Sequence, residues 1–505
     1  MNANVYGLFH RRFSLHSAAA CFETADGAIL TYGELDRLSG QFAAYLQAAG
    51  AGTGDRVAVQ VDKSIAAVAL YLGVLRLGAV FVPLNTAYTP HEVEFFLKDA
   101  RPLLFFCQPS MHAALESIAK DAGAARCIAL SDRADDALVS AIGDLSPVNG
   151  TATVDEGDLA VILYTSGTTG RSKGAMLSHG NLASNALALN ELWGFSPGDV
   201  LLHALPIFHI HGLFIALHTA FLSASKIVFL PKFDPAEIRR RLKGATVMMG
   251  VPTFYTRLLD DPAFSAADCA TMRLFICGSA PLSARDSIRF KERTGCEILE
   301  RYGMTEAGMI ASNPLLGARV PGSGGFALPG VSVRVCDGEG KELPRGESGV
   351  IEVRGPNVFS GYRGLAERTA EEFRRDGFFI TGDVGEMDAD GRLRIVGRVK
   401  DLIISGGYNI YPREIEGVLD EIPGVAESAV IGAPHKDLGE GVVAILVAEC
   451  DPLPDGVIQR ALDERLARFK HPRRLIWEAS LPRNAMGKVQ KAALRKKYAT
   501  AYERP

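Results

Sequence analysis

The sequence predicts an α/β protein. A large N-terminal domain of doubly wound sheets carries a small β-barrel subdomain, and a small α+β domain closes the chain. Three observations predict this. Up to about Val331, apolar strand-like runs alternate with amphipathic helical stretches, the pattern of parallel sheets wrapped by helices. From Val331 short strands separated by Gly and Asp turns take over, which marks a β-rich unit. After Lys400 a separate small set of strands and helices begins. At 505 residues the chain also exceeds what one core holds.

The elements follow in order. The first clear helix opens at Leu30 to Glu34, where Thr31 and Glu34 have capping-box spacing. Leu35, Leu38, Phe42 and Leu46 then form one apolar face. Gly50 to Gly54 ends the helix, and Arg56 to Val61 reads as a strand. A helix over Ser64 to Leu77 leads to a strand over Ala79 to Val82, closed by Pro83. Helix Pro90 to Lys98 and strand Pro102 to Phe106 repeat the unit. Asp132 to Asp155 is polar and weakly periodic, and reads as a linker. The apolar run Leu159 to Leu163 is a buried strand. A helix over Ser178 to Leu192 is predicted next, then runs at Asp199 to Pro206, Ile227 to Leu230, Thr246 to Met249 and Leu274 to Cys277. The β-rich part has strands at Val331 to Val335, Gly349 to Arg354, Phe378 to Thr381 and Leu393 to Val396. The domain boundaries are therefore set at 1–398 and 399–505, with the β-rich subdomain at 331–398.

Composition excludes several classes. Hydrophobic content is 48%, charged residues 22% and net charge −4, with no long run of either sign. Nothing here recruits nucleic acid or an anionic membrane. The eight cysteines show no Cys-x-x-Cys spacing, which fits a reducing cytoplasm and no zinc site. Met1 to Phe13 lacks the apolar core of a secretory signal. The apolar stretches Ala66 to Leu84 and Gly212 to Leu230 contain Arg76, Pro83, His218 and Lys226, so they read as helix–strand units rather than membrane spans.

The chemistry gathers in a few segments. After the buried strand, Tyr164 to Gly174 reads Tyr-Thr-Ser-Gly-Thr-Thr-Gly-Arg-Ser-Lys-Gly. Its glycines let backbone N–H groups turn to one point, hydroxyls add donors, and Arg171 and Lys173 add charge. Such a loop suits a polyphosphate, yet it lacks the Gly-Lys-Ser/Thr order of a P-loop. Cys277-Gly278-Ser279-Ala280-Pro281 follows a strand at its carboxyl end, where open α/β sheets bind ligands. Glu300-Arg301-Tyr302-Gly303-Met304-Thr305-Glu306 offers a carboxylate of the kind Mg²⁺ takes beside phosphate oxygens. Locally, Thr305 followed by an acid also reads as a helix N-cap. Further on stand Thr381-Gly382-Asp383, Gly397-Arg398-Val399-Lys400-Asp401, Gly406-Gly407-Tyr408 and Pro482-Arg483-Asn484-Ala485-Met486-Gly487-Lys488.

Together, in this order and spanning Tyr164 to Lys488, these motifs resemble the adenylate-forming superfamily of acyl-CoA synthetases, peptide-synthetase adenylation domains and firefly luciferases. The resemblance implies ATP, Mg²⁺ and coenzyme A as cofactor and co-substrates, and gives each motif a role. Thr165, Ser166, Gly167, Thr168, Thr169, Gly170 and Lys173 hold phosphates; Gly278, Ser279 and Ala280 line the adenine pocket. Glu300 to Met304 lie against the nucleotide, with Tyr302 on adenine; Thr305 meets the α-phosphate, and Glu306, with Thr165, holds the metal. Asp383 and Arg398 bind ribose, Lys400 is the pivot of a mobile C-terminal domain, and Gly406, Gly407 and Tyr408 approach the thiol tunnel. Lys488 and His209 join Thr305 and Glu306 as catalytic residues. Acetylation of Lys488 removes its charge, so a lysine acetyltransferase is the one macromolecular partner expected.

Segments at 174–179, 231–235, 250–258 and 300–306 further resemble malonyl-CoA synthetases over nearly the whole chain. A second substrate carboxylate needs a fixed cation. Arg301, at a position where many relatives for monocarboxylic acids carry glycine, and Arg257 are the candidates, with His209, Ile210 and Ser279 as other substrate residues. Ile210 and Ala307 to Ile310 depart from the pattern, which leaves tolerance for 2-substituted malonates open. Alternatives are a synthetase for methylmalonate or another short or aryl acid, a free-standing module loading a carrier protein, and a non-catalytic adenylate binder. Intact Lys488 and Glu306 oppose the last.

Overall fold

A computed structural model describes residues 2–131, 136–165, 172–406, 408–484 and 487–502. It opens earlier than expected, with a helix over Val5–Leu15 capped by the Asn4 side chain. Tyr6, Phe9 and Phe13 bury its inner stripe. Two short strands, Ala20–Thr24 and Ile29–Thr31, precede the helix Tyr32–Ala48, whose Thr31/Glu34 capping box forms as predicted.

The first sheet has six strands. Its order is Arg126–Ala129, Leu104–Cys107, Arg56–Gln60, Val80–Pro83, Leu159–Thr165 and Lys173–Ser178. All neighbours are parallel except the last pair, which forms an antiparallel hairpin. The phosphate-loop segment therefore joins two strands, and does not lead straight into the helix at His179–Leu192. The strand Lys173–Ser178 was hidden by its mixed polarity; backbone pairing with Leu159–Thr165 defines it. The expected linker also holds a helix, Ala137–Gly143, because Asp136 caps Leu138 and Val139 N–H groups and Ile142 is buried.

The second sheet has thirteen strands. Ala20–Thr24, Lys226–Phe229, Val200–His203, Val247–Gly250, Leu274–Cys277 and Ile298–Met304 pair in parallel. Beyond Ile298–Met304 every pairing is antiparallel, through Gly308–Ser312, Ser323–Ala327, Leu393–Arg398, Phe379–Met387, Ser348–Arg354 and Ser332–Cys336. The short strands expected after Val331 are thus present, and they form an antiparallel arm of the long sheet, because Ser323–Ala327 pairs Leu393–Arg398 and carries the ladder on. The strand Ile298–Met304 sits where the sheet changes character, the kind of switch point at which α/β sheets bind ligands.

The chain leaves the large sheet at Arg398, makes a short turn over Val399–Asp401, and enters a five-stranded sheet at Ile403–Ser405. That sheet packs helices Pro412–Leu419 and Asp455–Arg465 on one core and Lys491–Lys497 on another. Arg285 of the large part reaches across, donating to the Val425 carbonyl at 2.9 Å and lying 3.4 Å from Glu449. No helix among the described residues is long and apolar enough to cross a membrane.

Candidate active site

Strand Ile298–Met304 presents the central residues. Glu300 is buried, and its Oε1 accepts the Gly322 N–H at 2.8 Å. Burial pushes its carboxyl up to about 7. Tyr302 donates its hydroxyl to Asp383 Oδ2 at 2.7 Å, and Arg398 Nε meets Asp383 Oδ1 at 2.9 Å. After Met304 the chain turns through Thr305 and Glu306 into the antiparallel strand Gly308–Ser312. No helix starts at Thr305, so the N-cap reading is corrected. Gly303 is needed there, since a Cβ would stand 2.3 Å from the Gly308 carbonyl oxygen.

At the phosphate end, Thr165 Oγ1 lies 3.4 Å from Glu306 Oε1, and the Tyr362 hydroxyl oxygen lies 3.0 Å from the same Oε1. Lys173 Nζ pairs with Glu372 at 3.0 Å and stands 4.0 Å from the Tyr362 ring centroid. Burial raises the Glu306 carboxyl, so a divalent cation would relieve an unfavourable buried charge. Among the described residues no three or more His, Cys, Asp or Glu gather for a metal. The donor set, one carboxylate with one hydroxyl, fits Mg²⁺, which takes its other oxygens from phosphate and water. Ser166, Gly167, Thr168, Thr169, Gly170 and Arg171 lie outside the described residues.

Lys488 enters from the small domain, its backbone N–H held by Asn484 Oδ1 at 3.0 Å. Burial pushes its ammonium down to about 8, with Arg398 and Arg301 adding to the fall and Asp383 and Glu306 opposing it. The lysine therefore faces the carboxylates of the proposed nucleotide site in this domain arrangement. His209 is held at about 3 by burial, then by Lys488 and Arg301, and stays neutral.

Arg301 defines the other end. It is 6% exposed, and its Nε and Nη2 have no hydrogen-bond partner among the described residues. Burial pushes it down to about 10. Gly278 makes room for it: a Cβ there would lie 2.4 Å from the guanidinium carbon. Beside it, His211 is fully buried, with Nδ1 3.2 Å from Ser279 Oγ and Nε2 unpaired among the described residues. Ser279 takes φ +71°, a left-handed conformation that costs a non-glycine residue. His211 starts a wide-turn π-helix over His211–Leu217, a feature common at functional sites.

The chain matches the family model described as AMP-binding enzyme over residues 9–363, and that of the AMP-binding enzyme C-terminal domain over 414–488. It belongs to the AMP-binding enzymes. A malonate–CoA ligase of Arabidopsis thaliana is 36% identical, the match covering 94% of this chain and 85% of that one. A feruloyl-CoA synthase of Amycolatopsis sp is 35% identical over 96% and 97%. ATP-bound MatB of Rhodopseudomonas palustris is 51% identical, covering 99% of this chain and all of that one, with TM-score 0.96. Its apo form gives 0.86, so this chain's arrangement is nearer the ATP-bound one.

In this AMP-binding enzyme the structure draws together Thr165, Lys173, Glu306, Asp383, Arg398 and Lys488, while Gly278 borders Arg301 and Ser279 borders His211, with Ala280 and Ile210 next to them along the chain. Arg257 is not among them. It is exposed on the helix Pro252–Asp260, near enough to Arg483 to add to the lowering that burial causes in that arginine; its helix turns it outward beside the small domain. Gly406 takes φ +57° in the turn before Tyr408–Ile410, and Tyr408 is exposed, stacked on Phe469 of the same domain. Gly407 lies outside the described residues. Lys400, in the turn between the sheets, is lowered by burial and then Arg398. Sequence reasoning gave no role to His211, Tyr362 or Glu372. Only long-range contacts reveal them: Ser279 and His211 are 68 positions apart, Lys173 and Glu372 199.

Proposed function

We propose that this AMP-binding enzyme joins malonate to CoA, forming malonyl-CoA through malonyl-AMP and releasing AMP and pyrophosphate. One observation carries the choice of acid: Arg301 is a buried guanidinium whose Nε and Nη2 have no partner among the described residues, beside a His211 Nε2 that likewise has none among them. A lone buried charge is costly. A second carboxylate on the substrate resolves it, and a monocarboxylate does not. The likeness to the Arabidopsis thaliana malonate–CoA ligase supports the same acid.

In this reading one carboxylate of malonate pairs with Arg301 and His211. The other attacks the α-phosphorus of ATP, and the bond to the β-phosphate breaks with its electrons leaving on pyrophosphate. Lys488 supplies positive charge at the α-phosphate, Asp383 and Arg398 hold the ribose end, and Lys173 faces the departing phosphates. Glu306 and Thr165 would hold Mg²⁺, which would supply positive charge to neutralise the phosphates. His209 stays neutral, so it adds no third cation beside Arg301 and Lys488. The small domain, residues 399–505, then turns about Lys400 and brings Gly406, Gly407 and Tyr408 inward. CoA thiolate attacks the acyl carbon and AMP leaves. The test is AMP release with CoA across acetate, malonate, methylmalonate, succinate and benzoate. Malonate should lead; a lead by acetate or benzoate overturns the reading.

A further inference from the structure

Glu372 follows the short helix Ala366–Glu371 in the antiparallel arm. Its carboxylate does two things at once. Oε1 pairs with Lys173 Nζ at 3.0 Å and with Arg368 Nε at 3.0 Å. Oε2 accepts from the Tyr362 hydroxyl at 2.9 Å, and the same hydroxyl lies 3.0 Å from Glu306 Oε1. Lys173 and Glu372 are both largely buried, at 11% and 17% side-chain exposure. Backbone bonds fix the framework. Met176 N–H meets the Gly361 carbonyl at 3.0 Å, and Arg363 N–H meets the Gly174 carbonyl at 2.8 Å. Thus Tyr362 is clamped against the strand that carries Lys173, its ring beneath the ammonium.

From this geometry we infer that Glu372 is a positioning residue for adenylation: it fixes the Lys173 ammonium over Tyr362 and, through the Tyr362 hydroxyl, orients Glu306. The inference rests on the proposed ATP site. An ammonium has three donors; Glu372 takes one, leaving two aimed away from it for phosphate oxygens. One tyrosine thereby links the cation meant for phosphate to the carboxylate meant for the metal. The arrangement also fixes the sign of the effect. Glu372 carries negative charge near the phosphates, so removing it should not weaken ATP binding electrostatically. What it loses is placement, and misplaced catalytic charge lowers rate.

The experiment is malonate-dependent ATP–pyrophosphate exchange in the full chain, with malonyl transfer from supplied malonyl-AMP as the second readout. Glu372→Gln should lower the exchange kcat about 10–100-fold with KM for ATP level or lower. Transfer from malonyl-AMP should stay within about twofold of the parent. Tyr362→Phe keeps the ring beneath Lys173 and removes only the hydroxyl, so it should lower exchange and raise the Mg²⁺ concentration for half-maximal rate. Thermal unfolding checks that both variants fold. Exchange in Glu372→Gln like the parent's, or an equal fall in both half-reactions, overturns the role. A parent that shows no malonate-dependent exchange overturns the substrate reading instead.

Discussion

Arg301→Met separates binding from folding in one variant. Methionine keeps roughly the volume and drops the charge. In the free protein the guanidinium is 6% exposed with Nε and Nη2 unpaired. Burial takes it from 12.5 to about 10, a cost of about 3 kcal/mol at roughly 1.4 kcal/mol per tenfold step. This cost applies wherever the group is charged both folded and unfolded, which means below about pH 10. Replacing it should therefore stabilise the fold, by about 1–3 kcal/mol on the pattern of buried ions exchanged for apolar groups. Tm should rise by roughly 1 °C for each kcal/mol in a domain of this size. The same change removes the proposed partner of the second malonate carboxylate, which should cost about 3–5 kcal/mol, or about 10²–10⁴ in malonate kcat/KM. Acetate should hold level or gain, because it no longer leaves a guanidinium unmatched. Differential scanning fluorimetry and steady-state AMP release read the two effects. A lower Tm with equal losses for both acids would show that Arg301 is structural.

Four more outcomes are expected. Lys488→Ala should lower malonyl-AMP formation about 10²–10³-fold and spare transfer from supplied malonyl-AMP; acetylated Lys488 should behave alike. In the parent, adenylation should fall as pH rises through about 8, where Lys488 loses its proton, read by single-turnover pyrophosphate release. Glu300, raised to about 7, is disfavoured when charged; stability should fall between about pH 4.5 and 7 and then level off. Glu300→Gln keeps an acceptor for Gly322 N–H and should flatten that slope in thermal unfolding. Lys400→Pro fixes φ at the proposed pivot, so pyrophosphate should be released normally in the first turnover while little malonyl-CoA forms; a wild-type yield of malonyl-CoA places the pivot elsewhere.

Periodicity exposed the alternating strands and helices from Leu30 to Cys277, because buried apolar faces repeat at fixed spacing. It failed at Lys173–Ser178, a strand made by pairing rather than by apolar pattern. It also missed the opening helix Val5–Leu15, whose Tyr6, Phe9 and Phe13 are spaced among arginines and histidines. Short Gly-broken strands look alike whether a sheet closes or extends, so how the β-rich part joins the long sheet shows only in the pairing of Ser323–Ala327 with Leu393–Arg398. Motif residues near each other in sequence, such as Glu300 to Glu306, were legible as a site. Burial separates the two arginine candidates, Arg301 buried and Arg257 exposed, and no local pattern shows that in advance. His211 and Glu372 act across folds of the chain, and no local pattern marks them.

The acid this site takes should carry a second carboxylate. Malonate and acetate should be mixed at equal concentration with ATP, Mg²⁺, CoA and the full chain, and the CoA products weighed by mass spectrometry. Malonyl-CoA should dominate by about 10²-fold or more, the discrimination expected when a buried charge is left unpaired by the wrong substrate. Acetyl-CoA in equal or greater amount would contradict the account.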